Sequence, residues 1–113
     1  MTASSIITLI IFLIVAAIMI GIGIVQLRSS SPVGFYSGEK PLTKEELTDV
    51  HAWNKKHGMM WMIYGFVIII SYFAGYLIGE DSILCVIPFC GGLIVPIIIM
   101  IWYHNKLIKR YKR

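Results

Sequence analysis

Two cysteines and three histidines are the residues in this chain best suited to redox, nucleophilic or metal chemistry. Cys85 and Cys90 are five positions apart, about 140° around a straight helix, so their thiols diverge unless the backbone bends at Pro88 between them. Two small hydrophobes in an apolar setting is the expectation, with a redox pair as the rival. His51 and His57 are six apart, about 240° around a helix, and His104 lies in a distant segment. No cysteine or carboxylate completes a zinc-like spacing, so no metal site is expected. Nucleophile-elbow, Walker and His-Glu-x-x-His patterns do not occur. The sequence therefore predicts no catalytic residue, no cofactor and no enzyme.

The elements that must carry these residues are three long apolar runs. Of 113 residues, 58% are hydrophobic and 14% charged, where a soluble domain carries about 25% charge. Residues 5–27, 59–78 and 83–103 contain no Asp, Glu, Lys, Arg or His. At a rise of about 1.5 Å per residue, each run can cross a hydrocarbon core of about 30 Å. Lipid cannot satisfy open backbone groups, and the runs lack the alternation of a barrel strand. The prediction is an all-α integral membrane protein, a single domain over residues 1–113 with three transmembrane helices. The first run has no basic flank and exceeds the usual signal-peptide core, so it reads as a retained span.

Charge placement orients the spans. All ten Lys and Arg fall in the loop 28–58 or the tail 104–113, which three spans place on one side. The positive-inside rule then puts the N-terminus outside the cell membrane and the C-terminus in the cytoplasm. Trp61, Tyr64, Trp102 and Tyr103 fit the aromatic belt at that boundary. Five positive residues in the last eight suit an anchor on anionic lipid of the inner leaflet rather than nucleic acid.

The loop 28–58 is the one sizeable polar segment. Thr43 with Glu46 three positions on forms a capping-box pattern, which predicts a short cytoplasmic amphipathic helix starting there. Leu47, Val50, His51 and Asn54 share a face and Trp53 lies beside it. A surface helix resting on the membrane, with Trp53 at headgroup depth, is preferred. The rival is a partner-binding element built from Gly34, Phe35, Tyr36, Trp53 and Asn54. Gly58 either hinges this helix onto the second span or lets it run through.

Within the membrane, Ser71, Gly75 and Gly79 recur every four residues, and Ala17 and Gly21 offer a matching small-residue stripe. Such stripes let helices approach closely. Packing among the chain's own helices is preferred over an oligomer interface. Tyr72 and Tyr76 are expected to pack or to donate hydrogen bonds. Pro88, Gly91-Gly92 and Pro96 are expected to interrupt the third helix. Broken helices line transport sites in larger proteins, yet no charged side chain lies in any span to mark an ion path.

The run Gly34-Phe35-Tyr36-Ser37, an acidic-to-basic helix, Asn54, Gly58 and an apolar helix with Gly65 resembles the SdpI-type bacterial immunity proteins and related small three-helix membrane proteins of Gram-positive bacteria. The resemblance covers about 35 residues. Gly34, Phe35, Ser37 and Asn54 match the family's glycine, aromatic, hydroxyl and asparagine positions. Tyr36 replaces its arginine, Val50 its tryptophan, and Trp53 lies three positions beyond. The resemblance implies a bacterial cytoplasmic-membrane protein without catalysis.

The expected function is a small non-enzymatic membrane protein of accessory, regulatory or immunity type, binding a membrane protein or a peptide. The alternative is a small homo-oligomeric channel or transporter subunit.

Overall fold

A computed structural model describes residues 2–34, 42–79 and 81–112. Three helices, α1 (Ala3–Arg28), α2 (Val50–Ile78) and α3 (Val86–Tyr111), make an all-α protein. Each is long and apolar enough to cross a membrane, which defines a multi-pass membrane protein. Isoleucine and valine are poor helix formers in water, but in lipid the helix alone satisfies every backbone group within one segment.

Local chemistry sets the boundaries. Thr2 Oγ1 accepts from Ser5 N at 3.1 Å to start α1, and Asp49 Oδ1 accepts from Ala52 N at 3.0 Å to start α2. The second helix stops at Gly79, whose φ of 108° suits glycine alone and whose N–H reaches Gly75 O at 3.2 Å. Lys109 and Arg110 occupy the last turn of α3, favourable for the helix dipole.

Three expectations are corrected. The capping box at Thr43 is used, with Thr43 N donating to Glu46 Oε1 at 3.2 Å, but only a single 3-10 turn, Lys44–Glu46, follows. Leu47 then forms an antiparallel bridge with Lys112, which holds the chain extended until Asp49 caps a new helix. That helix is continuous with the second span: α2 runs through Gly58, so among the described residues there is no separate amphipathic surface helix. The third helix is likewise continuous. Pro88 falls in its first turn, where no backbone donor is lost, and Pro96 is accommodated inside it. Residues 104–111 are not a loose tail, since α3 extends to Tyr111 and buries Leu107 and Tyr111 against Leu47 and Trp53.

The second helix is the central one, with α1 on one side and α3 on another. Against α1 the packing is backbone on backbone. A Cβ on Gly23 would lie 2.5 Å from Gly58 O, and one on Gly65 would lie 2.9 Å from Ala16 O. These four residues sit seven apart on each helix and pair in antiparallel register. The expected stripe of Ala17 and Gly21 is one helical face away: Ala17 is exposed, and a Cβ on Gly21 would meet nothing within 4 Å. Ser71 and Gly75 do pack, but against α3. A Cβ on Gly92 would overlap the Ser71 hydroxyl, and one on Gly75 would run into the Phe89 ring. Gly79 serves the turn, not a helix contact.

Candidate functional site

Two features stand out, one at the end of the bundle where the Lys and Arg gather and one along its side. The first is a buried polar cluster. Asn54 uses three of its hydrogen bonds on the chain that leaves α1: Oδ1 accepts from Val33 N at 3.0 Å, and Nδ2 donates to Ser29 O at 3.1 Å and Ser31 O at 2.8 Å. Trp53 Nε1 donates to Val33 O at 2.9 Å, and Gln26 Nε2 donates to Gly34 O at 3.2 Å. Residues 29–34 are thereby clipped onto the first turns of α2.

One turn further on, His57 is wholly buried, and its Nδ1 lies 2.9 Å from Trp53 O. A carbonyl only accepts, so Nδ1 carries the proton, and in the neutral imidazole Nε2 presents its lone pair. His104 Nδ1 lies 2.8 Å from that Nε2 and is therefore the donor. The imidazole pair joins α2 to α3, with the Trp53 ring centred 4.2 Å from His57 and 5.8 Å from His104. Tyr111 meets the other side of Trp53 edge-on, and its carbonyl accepts from Thr48 N at 2.8 Å. With Nε2 of His57 engaged in this bond, the pair braces the helices. Among the described residues no group of three or more His, Cys, Asp or Glu side chains converges.

This cluster changes the standing of several expected site residues. Trp53, 1% exposed, and Asn54, 2% exposed, are consumed inside the fold and present no partner-binding surface. The loop from α1 and the end of α3 cover Trp53, so its ring faces protein rather than lipid headgroups. Gly34 contributes its carbonyl to Gln26, while Phe35 and Tyr36 lie outside the described residues. Cys85 is buried, Cys90 is exposed, and the two are not bonded to each other. Tyr72 behaves as expected, donating to Ser5 O at 3.1 Å and packing with Phe12 and Phe89. That aromatic trio draws on all three helices, at the end opposite the polar cluster.

The second feature is an apolar cleft of about 870 Å³ between α2 and α3. Met59, Met60, Ile63, Tyr64 and Val67 line it from α2, and Gly91, Gly92, Val95, Pro96, Ile99 and Met100 from α3. Its floor is held by Tyr64 Oη, which donates to Leu93 O at 2.9 Å. At the basic end it opens between Tyr103 and the trio His51, Lys55 and Lys56. Adjacent glycines do different work here. Gly92 seats the Ser71 side chain, whereas a Cβ on Gly91 would meet nothing within 4 Å, so Gly91 leaves the cleft open. Sequence reasoning missed both features. The signal for the cleft was present as two lysines followed by apolar residues at four-residue intervals, opposite a Gly-Gly pair.

No family model, curated protein or solved structure matches the chain. Its class is defined by its own geometry: a three-helix multi-pass membrane bundle, braced at both ends, with one side cleft.

Proposed function

We propose that this chain is a small non-enzymatic membrane protein of accessory or regulatory type, acting by binding, with the α2–α3 cleft as its binding surface. The observation that carries this reading is the cleft itself. At about 870 Å³ it has the size of a ligand site, for which about 300–1,000 Å³ is usual, and it is apolar with a few polar groups at one rim. The bundle brings backbones together along α1–α2, so an unfilled α2–α3 side is a specific feature of this fold. The distribution of Lys and Arg favours the N-terminus outside and the basic end in the cytoplasm. The motif from Gly34 to Gly65 favours a bacterial cytoplasmic membrane and an immunity-type role.

A photoreactive residue at Ile63, inside the cleft, tests the reading against one at Ile70, which is 67% exposed and outside it. Adducts enriched at Ile63 in native membranes are the expected result. Equal labelling at both positions contradicts it.

A second reading, a homo-oligomer that includes the channel or transporter alternative, draws on Ala17 and Gly21. This stripe is open on the outer face of α1, where a partner helix has close access. Gly21→Leu is expected to abolish self-crosslinking if that face is an interface, and to leave the Ile63 adducts intact.

A further inference from the structure

We infer that the α2–α3 cleft holds an anionic phospholipid, its acyl chain along the groove and its phosphate at Lys55 and Lys56. This rests on the cleft being the binding surface, and it names the ligand.

The dimensions favour a lipid tail. From Lys56 to Val67 the groove follows α2 for 11 residues, about 17 Å at the helical rise, close to half of a hydrocarbon core of about 30 Å. A groove of that length, about 870 Å³ in volume and apolar along its walls, accommodates an extended hydrocarbon chain. The Ser71–Gly92 contact closes it at depth.

The chemistry follows the same axis. The deep walls are aliphatic or methionine, and Met59, Met60 and Met100 can adjust to a flexible chain. The one deep hydroxyl among the lining residues, that of Tyr64, is spent on Leu93 O, and the charged side chains gather at the mouth. Lys55 and Lys56 are consecutive and exposed, and neither makes an ion pair with another described residue. Two positive charges at the boundary end of a hydrocarbon groove match a negative headgroup above an acyl tail. His51 lies one turn before Lys55 and adds a further donor at the rim.

Native mass spectrometry of the full chain in mild detergent tests this, with phosphatidylglycerol and phosphatidylcholine of identical acyl chains as probes. The wild type is expected to retain phosphatidylglycerol preferentially. Lys55→Glu with Lys56→Glu is expected to weaken that retention by about tenfold or more. Both lysines are exposed, so this variant keeps its fold. Gly91→Leu fills the groove and is expected to reduce retention of both lipids. The tail variant Lys109→Glu with Arg110→Glu, basic but outside the cleft, is expected to leave retention within about twofold. Equal retention of the two lipids overturns the inference. So does a tail variant as damaging as the Lys55/Lys56 one, which reduces the effect to general surface charge. The Ile63 adduct separates this failure from that of the binding reading. A polypeptide adduct, including a second copy of this chain, rejects the lipid and keeps the cleft, whereas no enrichment over Ile70 rejects both.

Discussion

The two faces of α2 are packed by opposite means. Toward α1, Gly58 and Gly65 meet Gly23 and Ala16 with backbone against backbone, and no room is left for a methyl group. Toward α3, the closest contacts are at the ends, and the Tyr64–Leu93 hydrogen bond and Met100 cross between them. The His57–His104 bond braces one end, the Ser71, Gly75, Gly92 and Phe89 contacts brace the other, and the cleft lies between. In lipid, where apolar burial gives little drive to associate, close van der Waals approach and interhelical hydrogen bonds decide which seams close. The first seam uses close approach along its length. The second uses end braces and a single mid-span hydrogen bond, Tyr64 to Leu93, and leaves a groove along its side, which suits a binding surface of fixed shape.

Substitutions that invade one seam and spare the other give the sharpest contrast. Gly58→Leu carries the largest expected effect, because its side chain has only the Gly23 carbonyl and Leu27 to displace. A loss of about 3 kcal/mol is expected, read as a lower unfolding midpoint in detergent. Asn54→Ala comes next. It takes the Asn54 amide away from Val33 N and from the Ser29 and Ser31 carbonyls, of which Ser31 O keeps the Ser29 hydroxyl, at a cost of about 2 kcal/mol. Limited proteolysis within residues 29–34 reads the unclipped segment. Smaller again is the coupling of His57 to His104, expected at about 1 kcal/mol in a double-mutant cycle with His57→Phe and His104→Leu. At the low end, Gly91→Leu is expected to change stability by no more than about 0.5 kcal/mol, since its side chain enters open space. A large loss there, comparable to Gly58→Leu, would mean that the α2–α3 side is as closely packed as α1–α2.

Much of this architecture is legible in the sequence because lipid imposes it. Three uncharged runs and Tyr72 as a donor each follow from a local rule. The helix faces do not. The first span is apolar all round, so no periodicity marks which side meets α2. Ala17 stands one residue, about 100° of rotation, from Ala16 on the seam, and Gly21 stands five residues, about 140°, from it. The second helix starts at Val50 rather than at Thr43 because a tertiary bridge, Leu47 to Lys112, outweighs a local capping signal. Trp53 has the position of an interfacial aromatic and becomes a core residue only because α3 runs on to Tyr111 and covers it. The histidine pair joins residues 47 positions apart. Six-residue and five-residue spacings within one segment carry no trace of a contact that depends on the register of two helices.

The account stands or falls on where this chain binds. A photoactivatable phosphatidylglycerol with its reactive group midway along an acyl chain, incorporated with the full chain into bilayers, would mark the occupied surface, and peptide mapping would locate the adducts. The account predicts labels confined to residues 59–67 and 91–103, the two walls of the cleft, and lost in Gly91→Leu. Labels spread evenly over the outward faces of α1 and α3, unchanged by Gly91→Leu, would contradict it.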